Sequence, residues 1–294
     1  MRLILAVAFL LALSLRQTQA HQDPRGDVHP VVTAADGKFI VEFECNFADE
    51  WIEDEKPVFR KLWSPEGKLI LPRHRVTLTA EESAAKEAGL SWPRLPTVEL
   101  IHFDDHQCRA VLQQRVGKAI TQTPLPLTVK TNHESANSHD TVLEGPWVAF
   151  TWADVNNESS DWTKATLNLS LVAQTGFVPG ETVTLGRSAR IYDFPCASPP
   201  LWAAGRWWVA WIREVPGVKV IDPDRRPWQT VLSSYSPTTK KHELRPLTGQ
   251  STWNTSPSMA VTDGWLCIAW NTDAGYETNQ PAQIVTVFEK LPAP

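Results

Sequence analysis

Gly264-Trp265-Leu266-Cys267-Ile268-Ala269-Trp270 decides the fold, because the chain carries near copies of it. Gly205-Arg206-Trp207-Trp208-Val209-Ala210-Trp211 repeats it 59 residues earlier. Each copy has a Ser-Pro entry, Ser198-Pro199 and Ser256-Pro257. A third copy begins at Pro30 and passes through Asp36-Gly37 to Phe43; Pro30, Gly37 and Phe43 stand 227 residues before Pro257, Gly264 and Trp270. Self-similarity on this scale marks a repeat architecture.

The repeated unit reads as a hairpin: a Pro-containing entry strand, a Gly turn, then an apolar strand ending in an aromatic ring. Thr97 to Phe103 and Gly145 to Phe150 read as weaker copies, so the terminal aromatics align at 43, 103, 150, 211 and 270. After each hairpin comes a further strand candidate: Val58–Trp63, Arg109–Gln114, Ala165–Ser170, Thr230–Tyr235 and Ile284–Phe288. Several alternate apolar and polar residues, as half-buried strands do. Some units add a fourth strand, such as Glu181–Leu185. A lone four-stranded sheet cannot bury both faces, whereas sheets stacked around an axis can. The expectation is an all-β chain, a β-propeller of about five four-stranded blades. Blades are placed near 27–78, 91–122, 128–186, 190–247 and 253–294. Thr79 and Glu82 form a capping box and Gly89 a stop, so a short helical insertion is expected at 79–89.

Residues 1–20 read as a signal peptide, with Arg2, an apolar run from Leu3 to Leu15, and a small-residue exit at Ala20. Residues 21–294 then form a single domain, secreted or periplasmic, with no membrane span after signal removal. The chain holds 28 Lys and Arg against 33 Asp and Glu, which gives no basic footprint for nucleic acid. Cys45, Cys108, Cys196 and Cys267 permit disulfides in an exported chain, although Cys45 and Cys267 sit in apolar strands and read as buried thiols.

The pattern Ser-Pro-x-x-Ala-x-x-Asp-Gly from Ser256, followed by Leu266-Cys267-Ile268-Ala269-Trp270, resembles the BNR-repeat and sialidase-like propellers of exported bacterial proteins. That resemblance implies a propeller and a carbohydrate-related role. The turn motif of those proteins, Ser-x-Asp-x-Gly-x-Thr-Trp, is not intact: Ser64-Pro65-Glu66-Gly67 is one residue short. Sialidases also use an arginine triad, a Tyr nucleophile and acidic partners, and no motif assigns such a role to Tyr192, Tyr235 or Tyr276. No catalytic residue is carried over.

Loops that follow the repeated strands are expected to converge on the axis at one end. They carry the candidate ligand-binding residues Asp104, Asp105, His106, Trp162, Asp222, Asp224, Arg225, Arg226, Trp228 and Tyr276. Acid, guanidinium and ring side by side, as in Asp222 to Trp228, suit sugar recognition by stacking and bidentate hydrogen bonds. Repeated-strand rings such as Trp147, Trp207 and Trp265 read as core. His102, Asp104 and His106 share donor chemistry but make no metal site alone. The reading is a monomeric, cofactor-free, non-catalytic module for a carbohydrate or protein ligand. The alternative is a glycoside hydrolase of sialidase or five-bladed arabinanase kind, using loop carboxylates around the axis.

Overall fold

The computed structural model describes residues 26–46, 57–77, 97–104, 107–116, 119–130, 140–155, 165–188, 197–215, 228–248, 253–273 and 281–292. The signal peptide and the 79–89 helix fall outside these ranges. Within them, every element is a strand, in five separate antiparallel sheets.

The first sheet is β1 (Gly26–Ala35), β2 (Lys38–Asn46), β3 (Val58–Trp63) and β4 (Leu69–Arg75), in that spatial order. The second is β5 (Thr97–Asp104), β6 (Gln107–Val116) and β7 (Ala119–Lys130). The third is β8 (Asp140–Glu144), β9 (Trp147–Val155), β10 (Ala165–Ala173) and β11 (Pro179–Ser188). The fourth is β12 (Leu201–Ala203), β13 (Arg206–Glu214), β14 (Trp228–Ser236) and β15 (Lys241–Pro246). The fifth is β16 (Trp253–Thr262), β17 (Trp265–Asp273) and β18 (Gln283–Lys290). Three sheets have the expected four strands; the second and fifth show three each among the described residues.

Alternation along the second strands explains how the sheets stack. In β17, Cys267 and Ala269 face the first sheet's Val32, Phe39, Val41 and Phe43, while Leu266, Ile268 and Trp270 face the fourth sheet's Trp208 and Ala210. In β13, Trp207, Val209 and Trp211 turn the other way, onto Leu167, Leu169 and Leu171 of the third sheet. A further cluster joins Val148, Phe150 and Trp152 to Val98, Cys108 and Leu112 of the second. Four junctions are thus packed face to face: second on third, third on fourth, fourth on fifth, and fifth on first. Asp27 N–H donates to Ala282 O (3.0 Å), and Val32 N–H to Ser258 Oγ (3.0 Å), across that junction. This is a five-bladed β-propeller.

The repeat is also conformational. Asp36-Gly37, Ala204-Gly205 and Asp263-Gly264 all have positive φ at both residues (50°/65°, 51°/70° and 50°/73°), the signature of type I′ hairpin turns. In the third sheet Glu144 pairs with Trp147 across Gly145-Pro146; proline fixes a negative φ, so only Gly145 is left-handed. Counting five residues on from the turn-closing positions Lys38, Trp147, Arg206 and Trp265 lands on Phe43, Trp152, Trp211 and Trp270. The third-blade aromatic is therefore Trp152, not Phe150, and Trp152, Trp211 and Trp270 follow one another at 59 residues. Hydrogen bonding agrees: Trp152 Nε1–H donates to Ser170 Oγ (3.0 Å), and Trp211 Nε1–H to Ser233 Oγ (2.9 Å). Thr97–Phe103 also departs from expectation, since it lies in β5, the first described strand of its sheet, which runs beside β8 as β12 runs beside β16.

Cys45 and Cys267 are buried free thiols, as the apolar-strand reading expects, and so is Cys108. Burial pushes all three up from the usual thiol pKa, so they remain protonated.

Candidate functional site

Strand order divides the propeller into two ends. Connections from second to third strands (β2–β3, β9–β10, β13–β14, β17–β18), with the starts of the first strands, lie at one end, the loop end. Hairpin turns and third-to-fourth turns lie at the other, the turn end.

Of the ten expected ligand residues, two fall within the described residues. Trp228 opens β14 opposite Glu214 at the loop end and is half-buried. Asp104 closes the β5–β6 turn opposite Gln107. With β5 as the first strand of its sheet, that turn belongs to the turn end, so Asp104 does not join the other four loops. Asp105, His106, Trp162, Asp222, Asp224, Arg225, Arg226 and Tyr276 lie outside the described residues.

At the loop end the inner strands share an unusual step. His29 and Ser256 both have left-handed φ (52° and 51°), each before a proline and each inside a bulge. Ser256 Oγ and His29 Nδ1 meet at 3.5 Å. Backbone strain of this kind is stored where surrounding packing over-determines it. The other Ser-Pro entry lacks the left-handed step: Ser198, buried like Ser256, accepts at its Oγ from Ala210 N–H (3.0 Å).

The described cavity lies at the turn end, between the third and fourth blades. It is a groove of about 480 Å³ lined by Trp147, Gly180, Glu181, Trp202, Pro237, Thr238 and Lys240. Each wall follows from local sequence. Trp147 is the first residue after the Gly145-Pro146 turn. Gly180 is the second residue of β11, and a Cβ there would meet Leu171 O at 2.5 Å and the Trp147 ring at 3.0 Å. Trp202 leans on Trp207, ring centroids 5.2 Å apart. Lys240 ends the β14–β15 turn with φ 57°, a left-handed backbone that a lysine adopts at a cost.

The polar groups form one chain of contacts. Lys240 Nζ donates to both oxygens of Glu181 at 2.9 Å, spanning the two blades. From below, the buried Tyr235 hydroxyl bonds the same carboxylate; burial first, then Glu181, raises the phenol pKa far above its ordinary value. Tyr235 therefore stays a neutral donor. The groove offers two indole faces, a fixed carboxylate, an ammonium and a Thr238 hydroxyl.

Of the groove residues the sequence points to Trp147 alone, as core; it is instead a half-buried groove wall. A readable sign was there: Trp202 stands where the other Ser-Pro copies place Val261 and Ala34. A wide ring at a small-residue position has no room inside a blade interface and must edge outward.

No protein-family model and no curated protein sequence matches the chain. Among solved structures, a thermostable family-43 glycoside hydrolase aligns over 92% of this chain and 97% of its own, at 11% identity and TM-score 0.41. An exo-1,5-α-L-arabinanase from a bovine ruminal metagenomic library aligns over 90% and 94%, at 11% identity and TM-score 0.37. A glycosyl hydrolase from Bacteroides ovatus aligns over 92% and 86%, at 8% identity and TM-score 0.38. At these values the likeness says nothing of chemistry, and the fold rests on the sheets themselves.

Proposed function

We propose that this chain is an exported propeller acting as a binding module for carbohydrate, with the groove between Trp147 and Trp202 as its ligand site. The observation that carries the reading is the pairing of two half-buried indoles lining the groove with a fixed carboxylate and ammonium. Indole faces cover the C–H face of a sugar ring, and charged groups with spare hydrogen-bonding capacity bind its hydroxyls. Glycoside hydrolysis asks for two carboxyl groups, roughly 5 to 9.5 Å apart. Among the described residues the groove supplies one, Glu181, already engaged by Lys240 and Tyr235. Binding is the function this groove supports, and the hydrolase alternative rests on other carboxylates, those of the loops that follow the repeated strands.

Isothermal titration of the whole protein with a panel of cello-, xylo-, manno- and galacturono-hexasaccharides tests this. Saturable heat with at least one hexasaccharide is expected, lost at least tenfold in Trp202→Ala. No heat with any of them overturns the reading. Release of new reducing ends during incubation would replace it with the hydrolase alternative.

A further inference from the structure

The groove is electrostatically closed on itself, and that fixes which saccharides it can accept. Lys240 is the cation lining it, and both oxygens of Glu181 hold that ammonium. A carboxylate has about four lone-pair positions. Lys240 takes two and Tyr235 a third, leaving acceptor capacity that suits a hydroxyl donor. A ligand carboxylate would instead meet the Glu181 charge, and would have to pull Lys240 away from a bidentate contact to gain a partner.

Backbone conformation adds an independent observation. Lys240 occupies the left-handed region where Gly and Asn are favoured, at the end of a turn with only four residues between Ser236 and Lys241. Nothing about the turn requires a lysine there. Its ammonium reaches across to the preceding blade, and the side chain is 66% exposed, so packing does not account for it either. The residue serves the carboxylate.

Resting on the carbohydrate reading above, we infer that the Glu181–Lys240 pair is a specificity filter: the groove selects neutral saccharides presenting free hydroxyls and rejects uronic-acid chains. Glu181 acts as acceptor and as repulsive element, Tyr235 holds it in place, and Lys240 is kept from serving as an anion receptor. Selectivity built on repulsion of the wrong ligand is a common route to discrimination.

The experiment compares a neutral hexasaccharide, taken as the best binder of the cello, xylo and manno series, with galacturonohexaose at constant ionic strength. Wild type is expected to bind the neutral chain at least tenfold tighter. Glu181→Gln keeps the shape and frees the Lys240 charge, so the ratio of affinities should move at least tenfold toward galacturonohexaose. Lys240→Gly removes the cation at a backbone conformation glycine prefers, so it remains folded. It should not gain affinity for galacturonohexaose. Galacturonohexaose binding wild type as tightly as the neutral chain overturns the filter while leaving carbohydrate binding intact. An unchanged ratio in Glu181→Gln, with the melting temperature retained, overturns it as well. Silence from both sugars in wild type removes the carbohydrate reading and the filter together.

Discussion

The junction between the fifth and first blades and the junction between the third and fourth are built on one plan and end differently. In both, the turn joining third to fourth strand in the later blade reaches over the outer strands of the earlier one. At the fifth–first junction that turn is Ser64 to Lys68, and Gly67 lies against the Phe288 ring, so close that a Cβ would come within 2.6 Å. Phe288 packs on Trp63 and Phe39, ring centroids 5.2 and 5.8 Å away, and the space is filled. At the third–fourth junction the corresponding turn carries Lys240, which spans to Glu181, and a groove stays open between Trp147 and Trp202. Sealing stabilises; leaving a gap lined by rings and one charge pair creates a surface that can recognise something. One architecture therefore yields a structural seam and a candidate ligand site, according to whether an aromatic ring or an ion pair meets the turn.

Removing the filler should have the largest effect. Phe→Ala in a full core costs about 3–5 kcal/mol, and Phe288 is only half-buried, so about 2–3 kcal/mol is expected. At roughly 2–4 °C per kcal/mol for domains of this class, Phe288→Ala should lower the melting temperature by about 4–12 °C. A change near zero would show that the fifth–first seam does not depend on its aromatic plug. Next in size is Gly180→Ala. The added methyl must displace either the Leu171 carbonyl or the Trp147 ring, an overpacking cost of about 1–3 kcal/mol. Because Trp147 is a groove wall, saccharide affinity should fall with stability. Loss of stability with affinity intact would separate Trp147 from the site.

How legible was this contrast in the sequence? The blades were, because hydrophobic alternation and Gly turns are local: Val58–Trp63 and the turns at 64–68 and 236–240 stand where the pattern puts them. The second blade is harder to align, because Asp104 to Gln107 has no glycine to mark the turn and Phe103 mimics a terminal aromatic. Phe150 and Trp152 are hard to tell apart for a related reason. Both face the same cluster at alternate positions, and only the pairing register, set by Gly145-Pro146, chooses between them. The groove was not legible, since Glu181 and Lys240 are 59 residues apart and belong to different blades. Charge density in the sequence is high in the long loops, whereas the described groove uses one carboxylate at the start of a strand. Composition reports how many acids a loop holds and not which blade faces which.

A subtler difference between the same two blades concerns pH. In the third, Trp152 donates to Ser170, whose hydroxyl meets Thr182 Oγ1 at 2.8 Å. In the fourth, Trp211 donates to Ser233, whose hydroxyl meets His242 Nε2 at 3.1 Å. Burial lowers the His242 pKa below its ordinary value, because the charged ring loses hydration. The unfolded chain then binds more protons than the native one, so stability is complete above the ordinary histidine range, near 6.5, and falls as pH drops below it. For one proton the limiting slope is about 1.4 kcal/mol per pH unit. His242→Thr, which copies the third-blade ending, should flatten the stability profile between pH 7 and 5. A slope that persists unchanged would assign the dependence to other groups.

The smallest effect tests the repeat itself. Three hairpins use type I′ turns, and two of them place aspartate at the first left-handed position, Asp36 and Asp263; the fourth blade has Ala204 there at φ 51°. A left-handed backbone costs an alanine about 1–2 kcal/mol, while aspartate tolerates it through local hydrogen bonding. Ala204 also lies partly buried against the cluster between the fourth and fifth blades, beside Leu201 and Ala203, so an aspartate carboxylate gives back part of the gain in desolvation. Ala204→Asp should therefore stabilise by about 0.5 kcal/mol, read as a shift in the denaturant midpoint at constant slope. A loss of stability instead would mean that contact with the neighbouring blade outweighs the turn. The fourth blade would then have traded local conformation for packing at the seam it shares with the fifth.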